Sequence, residues 1–378
     1  MFGKKRIVVA LIAMVVLTIS GCAMLKGAKD KVQEQPKAQV DADTLQAVKV
    51  KAPIVIDGKA DEWANIPEIQ IPLRGAGEIG PGGKFTDGKT TVKIKSQYDG
   101  ENVYFVATWD DPTQSIERGP WVYENGKWVK KGYDTHYEDK FAMQWNINDT
   151  IKGFNELKGE KAGCMVSCHA TGIFDEKTGK EIKKKYNNAP GELSDMWHWK
   201  LVRTNDNQGK DKPGQFHDQY TDATPYKAPD GTITPAAGRK GDPGNKEYTD
   251  NTVGETGKEG YMPKVVVDGQ PAVSKYVIVD GIDKVKSFDP MAPAKEGDVI
   301  PGLIAYKMTG DNGNITAKGL WKDGKWTLEW SRKLVTGSQY DVAFDDLKKT
   351  YYFGVAGFDN SQIGHAYHTG AKKFVFEQ

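Results

Sequence analysis

The sequence predicts an all-β fold, an antiparallel β-sandwich carrying one long loop-rich insertion. Three observations predict it. Short runs rich in β-branched and aromatic residues recur along the chain, each bounded by Gly, Asp, Asn or Pro, the pattern of strands and turns. Few windows keep a sustained 3.6-residue apolar period, so long amphipathic helices are not expected. Between about residues 149 and 261 the strand pattern breaks, and Gly, Lys, Asp, Asn and Pro dominate. A loop of that length is uncommon in a compact domain unless something else orders it, and a cofactor is one candidate.

At the amino terminus Lys4, Lys5 and Arg6 precede an apolar run over 7–19 that ends in Ile19-Ser20-Gly21-Cys22. The run is short for a spanning helix of about 20 residues and fits a secretory signal. Its end resembles the lipobox of bacterial lipoproteins, which implies a signal over 1–21 and a lipid on Cys22. An uncleaved anchor and a plain secretory signal are the other readings. Residues 22–47 are polar and charged and read as a flexible tether. The sandwich is expected over 48–378, with its insertion at about 149–261.

Each strand has its own warrant. Residues 53–56 are apolar and are followed by the turn pair Asp57-Gly58. Over 91–98, Val92, Ile94 and Ser96 alternate with Lys93, Lys95 and Gln97, the period-2 pattern of a strand. Asp99-Gly100 turns the chain into 103–109, and 141–147 is another such run. Further runs cover 275–279, 303–308, 326–334, 351–355 and 373–376. Lys322-Asp323-Gly324-Lys325, between two Trp-bearing runs, reads as a tight hairpin.

Composition bounds the function. Of 378 residues, 52 are Lys or Arg and 51 are Asp or Glu, a net charge of +1. Loss of the signal would take Lys4, Lys5 and Arg6 and no acid, moving the balance to −2. Such a balance gives no electrostatic reason to expect nucleic acid as a partner. Hydrophobic residues are 38%, below the roughly 45–50% of an average domain. Yet 10 Trp, 16 Tyr and 13 Phe supply the mass for a core. Three Cys are too few for a disulfide-stapled scaffold.

The chemistry concentrates in the insertion, at Gly163-Cys164-Met165-Val166-Ser167-Cys168-His169. A c-type haem attachment signal has two residues between its cysteines; here there are three. The adjacency of Cys168 and His169 is the demanding part, because the His must turn under the ring once the second thiol is fixed. A covalent haem held by Cys164 and Cys168 with His169 on the iron is one reading. A local disulfide is another, plausible in an oxidising compartment. Zinc would need further soft ligands, and none lie nearby in sequence.

Asp195-Met196-Trp197-His198-Trp199-Lys200 follows. As a strand it sends Trp197 and Trp199 to one face and Met196, His198 and Lys200 to the other. His198 then either reaches an iron or is a hydrogen-bonded core histidine beside two packing tryptophans. Met143 lies in a strand-like run and reads as a core residue. His365 and His368 sit before the last strand, at an end of the sandwich, where surface histidines are ordinary. His136 and His217 lie in polar stretches and read as exposed.

Taken in order, these segments resemble the ethylbenzene dehydrogenase-related haem-binding domain. The resemblance spans roughly residue 48 to the C-terminus. It is carried by Ile56-Asp57-Gly58-Lys59-Ala60-Asp61-Glu62-Trp63, Asp139-Lys140-Phe141-Ala142-Met143 and Gly163 to His169. It continues in Asp195 to Lys200, in Gly324-Lys325-Trp326 before Arg332, and in Phe358-Asp359-Asn360 with His365. It implies a sandwich related to the DOMON cytochrome domains (immunoglobulin-like), with haem at one end used for electron transfer. Known members hold haem b through Met and Lys, and related sandwich cytochromes through Met and His. Met143 matches the Met, and His365 falls in the region of the second ligand. A haem b protein has no need of a Cys-x-x-x-Cys-His segment. The expectation is therefore one covalent haem c with His169 proximal and His198 distal, Met143 and His365 being the alternatives. A second, non-covalent haem b between Met143 and His365 is a further option.

The function expected is electron transfer by a c-type cytochrome, exported and lipid-anchored to a bacterial membrane at the periplasmic or outer face. Its redox partner would be a molybdenum enzyme, a quinol-linked module or another cytochrome. A six-coordinate iron offers no open position to a substrate, so no catalysis is expected. No paired-carboxylate, Ser-His-Asp or phosphate-loop pattern stands above background. The alternative is a haem-free carbohydrate- or ligand-binding sandwich lipoprotein, with Trp side chains as stacking platforms.

Overall fold

Alternation of inward apolar and outward polar residues turns the expected runs into strands. The computed structural model describes residues 41–75, 84–167, 187, 189–223, 226–227, 233–234, 238–268 and 277–378. Its principal strands are Thr44–Lys49 (β1), Ile69–Gly75 (β2), Lys89–Tyr98 (β3), Asn102–Asp110 (β4), Lys140–Asn146 (β5) and Ser194–Lys200 (β6). They continue with His217–Thr221 (β7), Arg239–Gly241 (β8), Thr316–Lys322 (β9), Lys325–Lys333 (β10), Tyr351–Phe358 (β11) and Lys372–Phe376 (β12).

The strands form a β-sandwich. One layer runs β8-β7-β6-β5-β11-β12 and the other β2-β3-β4-β10-β9. Along one side the layers are joined. Strand β1 pairs in parallel with β12, Leu45 opposite Phe374, and with β3, Ala47 opposite Ser96. Ala366–Tyr367 likewise pairs with both β11 and β2.

Aromatic side chains fill the space between the layers. Phe105 of β4 stacks on Trp330 of β10 at 5.1 Å between centroids and meets Trp197 of β6 edge-on at 5.8 Å. Trp145 of β5 lies 5.1 Å from Trp197. All four are fully buried. Offset and edge-on contacts of this kind contribute about 0.5–1.5 kcal/mol each beyond their buried area. Composition understates this core because a few large rings carry it.

The hairpin between β9 and β10 forms where the sequence places it. Trp321 pairs with Trp326, and Asp323 and Gly324 take φ values of 52° and 76°. Two left-handed residues match the strand twist, and Gly adopts that conformation without strain.

Three expectations need correction. The tether was expected to run to residue 47, but Thr44–Ala47 already belong to β1, drawn in by apolar Leu45 and Ala47. Residues 53–56 form no strand. There the Asp57 and Gly58 amides donate to Glu329 Oε2 at 3.0 and 2.7 Å, and the Trp63 indole donates to Oε1 at 2.7 Å. The span 149–261 is not all loop either, since β6, β7 and β8 lie within it and extend the main layer from β5.

Candidate functional site

Three adjacent strands set the outer face of one layer. Along β5, Phe141, Met143 and Trp145 point into the core, which leaves Ala142 and Gln144 outward. Along β6, Trp197 and Trp199 point inward, and Met196, His198 and Lys200 outward. Register then aligns them in rows. His198 lies beside Ala142 and Ala142 beside Ala356; Met196 lies beside Gln144 and Gln144 beside Gly354. The middle of this face therefore carries two alanines, a glycine and Gln144, whose amide donates to the Ser167 and Ser194 hydroxyls at 2.5 and 2.8 Å.

These rows floor a cleft with about 470 Å³ of empty space, part of it open to solvent. Cys164, Met196, His198, Arg239, Phe358 and His365 stand around it. Cys164 is buried, in the turn Gly163–Val166. A Cβ on Gly354 would lie 3.4 Å from its Sγ, so the thiol sits directly over the β11 backbone. Gly163 has φ +62°, and a Cβ there would meet the Gly370 carbonyl oxygen at 2.6 Å. Only glycine fits before this cysteine.

His198 is buried, and its Nε2 has no hydrogen-bond partner among the described residues. Its Nδ1 donates to Gln219 Oε1 of β7 at 3.3 Å. Burial, reinforced by Lys200, Lys140, Arg239 and Arg203, pushes its pKa well below the ordinary value. The imidazole is thus neutral, with the proton on Nδ1 and a lone pair on Nε2. A buried lone pair without a donor is costly, and it is the state in which histidine ligates a metal.

The second histidine of the cleft, His365, donates Nδ1–H to the Ile363 carbonyl at 2.8 Å. The Phe358 ring lies between the two, 5.6 Å from His198 and 5.0 Å from His365. Lys140 Nζ stands 4.0 Å above that ring. His368 takes a structural role, accepting the Val355 amide at 3.0 Å.

The expected site residues therefore separate. Cys164, His198 and His365 share one cleft. Met143 does not, because strand alternation buries it in the core on the opposite face of the sheet. That places Met143 and His365 on different sides of the layer. Cys22, Cys168 and His169 lie outside the described residues.

His217 is not exposed as read. It is nearly buried, with Nδ1 2.7 Å from Lys200 Nζ and 3.0 Å from Glu247 Oε2. His136 is about one-third exposed, 3.8 Å from Glu117. Met196 and Arg239 were missed as part of the cleft, and Gln219 as the partner of His198. Period-2 alternation from His198 marks Met196, but nothing local marks the other two, which arrive through pairing between distant segments.

No helix among the described residues is long and apolar enough to cross a membrane. The family model described as ethylbenzene dehydrogenase matches residues 60–370. No curated protein matches the chain. Two similar solved structures are of a family 9 carbohydrate binding module from Caldicellulosiruptor kristjanssonii, one with glucose and one with cellotriose. Each is 8% identical to this chain. The first likeness covers 88% of this chain and 94% of that one with a TM-score of 0.31; the second covers 89% and 95% with a TM-score of 0.30.

Proposed function

The chain belongs to the ethylbenzene dehydrogenase family, and from that premise we propose that it is an electron-transfer cytochrome with a covalently attached haem in the cleft of Cys164 and His198. The observation that carries the reading is the buried, neutral His198 with its unpartnered Nε2 at the wall of that cleft. A haem, when bound, supplies a one-electron couple and the protein tunes it. The chain's own residues do the rest. His198 offers Nε2, and Gln219 holds the ring in the required tautomer. Ala142, Gly354 and Ala356 leave room for a flat group. Cys164 offers one thiol, and Cys168 and His169 complete the attachment segment in this reading. Arg239 and Lys140 put positive charge where carboxylate substituents would be welcome.

The wider reading follows from the sequence. Cys22 carries a lipid, the protein works outside the cytoplasm at a membrane face, and its partner is a redox protein such as a molybdenum enzyme, a quinol-linked module or another cytochrome. No catalytic step is assigned to the chain.

A pyridine haemochrome spectrum of the denatured protein is the test. The expected result is a haem c spectrum that stays with the polypeptide after acid-acetone extraction. Extraction of all haem overturns covalent attachment, and a protein without any Soret band overturns the cytochrome reading. One observation favours a second reading, a haem-free ligand-binding module. An open groove elsewhere is lined by Trp128, Tyr133 and Tyr261, rings of the kind that stack on sugars. Glycan binding by a colourless protein would select it.

A further inference from the structure

On the core face of the strands that carry His198 lies a second cluster of side chains, unrelated to the cleft. Asp195 of β6, Asp218 of β7 and Asp341, ahead of β11, bring carboxylate oxygens within 4.8 Å of one another. Asp242, just after β8, is 4% exposed and also faces the cluster, with its carboxyl against that of Asp341. All four side chains are buried.

The hydrogen bonds of the group are incomplete. Asp195 Oδ2 accepts from Arg332 Nη1 and from the Val342 amide, both at 2.9 Å. Asp341 Oδ2 accepts from Asn314 Nδ2 at 3.0 Å, and Asp218 Oδ1 from the Gln219 amide at 3.1 Å. The remaining oxygens, Asp195 Oδ1, Asp218 Oδ2, Asp341 Oδ1 and both of Asp242, have no partner among the described residues. Asp242 is the independent pointer, since its carboxylate is buried, receives no hydrogen bond from outside the cluster among the described residues, and still turns toward three other carboxylates.

Charge makes the same demand. Arg332 is the one cation in direct contact with the cluster among the described residues. Four ionised carboxylates against one guanidinium would leave about three uncompensated negative charges in the interior, which proteins avoid by pairing, protonation or a bound cation. The unpartnered acceptors at the cluster are carboxylate oxygens and the amide Oδ1 of Asn314, with no sulfur or imidazole nitrogen grouped with the carboxylates among the described residues. That donor set selects a hard cation, and a cage made from protein oxygens alone suits Ca²⁺ better than Mg²⁺, which retains its waters.

We propose that Asp195, Asp218, Asp242 and Asp341 bind one Ca²⁺ ion, which ties β6, β7 and the segment after β8 to the loop before β11. Arg332 neutralises the Oδ2 side of Asp195 and leaves Oδ1 to the ion. The site is structural. It is independent of the haem reading, although β6 and β7 also present His198 and Gln219 on their other face.

A second cluster, Asp111, Asp139 and Asp359, is better served. Asp139 accepts from the Ser115 and Asn360 amides at 2.8 and 3.1 Å, and Asp359 from the Thr113 and Ser115 hydroxyls at 3.4 and 3.3 Å. It serves as the control in the test.

The experiment uses the purified protein with whatever cofactor it carries, stripped with a chelator. Addition of about 1 mM Ca²⁺ should raise Tm by at least about 3 °C, and equal Mg²⁺ by clearly less. Tb³⁺ should show emission sensitised by Trp197, whose ring lies 4.8 Å from the Arg332 guanidinium, and Ca²⁺ should displace it. Asp242→Asn should weaken Ca²⁺ at least about tenfold, with Asp218→Asn as the replacement if that variant does not fold. Asp359→Asn should leave Ca²⁺ affinity unchanged. Wild type with neither a Ca²⁺-dependent Tm nor displaceable Tb³⁺ emission overturns the proposal, because the carboxylates would then share protons instead. A Ca²⁺ response that survives Asp242→Asn, or is lost in Asp359→Asn, also overturns it by placing the ion elsewhere.

Discussion

His198 Nδ1 lies 3.3 Å from Gln219 Oε1. The amide oxygen can only accept, so the imidazole must donate there, and Nε2 is left with the lone pair. The two residues sit on neighbouring strands, with Gln219 paired opposite Met196, two residues before His198. A β-sheet register thus sets a tautomer.

Gln219→Leu should loosen that tautomer and weaken His198 as a ligand, by about 10- to 100-fold in affinity if outer hydrogen bonds act here as they do at other metal sites. The reduction potential should move as well, and Gln219→Glu, which still accepts from Nδ1, should restore ligation and lower the potential. His198→Ala should convert a low-spin spectrum to one lacking its sixth ligand. Visible spectra and redox titrations of the three variants check this. A spectrum unchanged in His198→Ala would move the distal role to His365.

Gly354→Val should block the cleft with little cost to the sandwich. Valine suits a strand, but its first carbon already lies 3.4 Å from Cys164 Sγ, and its methyl groups reach further into the space. Haem content per polypeptide should fall at least about tenfold while Tm changes by less than about 4 °C. Equal loss of haem and of folded protein would show that Gly354 matters to the sheet alone.

The pH profile of stability should carry the mark of Asp111. Burial first, then Asp139 and Asp359, pushes its carboxyl up to about 9. Asp139 is pushed up to about 7, chiefly by burial. A carboxyl whose folded pKa exceeds its unfolded value near 4 favours the protonated native state. Its contribution is therefore complete below pH 4 and is lost as pH rises through about 9. With chelator present, Tm should fall between pH 5 and pH 9. Asp111→Asn should flatten that fall and raise Tm at pH 9 by about 3 °C or more. A parallel decline in variant and wild type would place the dependence elsewhere.

Most of the sandwich is legible because alternation is a local property. Over 91–98 the period-2 pattern marks β3, and the Asp323-Gly324 pair marks its hairpin through backbone conformation alone. The same rule turns His198 away from Trp197 and Trp199. It also sends Met143 inward with Phe141 and Trp145, away from the cleft. What stays hidden is decided by pairing between distant segments. His217 reads as exposed because its sequence neighbours are polar, yet pairing with β6 sets it against Lys200 and Glu247. Arg239 reaches the cleft, and Gln219 reaches His198, in the same way. Thr44–Ala47 look like linker until β12, some 330 residues later, supplies their partner strand.

Strand β1 is held on both sides by parallel partners, β12 and β3. Tension applied at the amino terminus along the strand would load its interstrand bonds together in shear, not open them one after another as in a peeled hairpin. A protein tied to a membrane at that end would then resist tugging well beyond what its equilibrium stability suggests. Single-molecule pulling from the amino terminus, compared with pulling across the β9–β10 hairpin, measures the difference, and equal rupture forces would refute it.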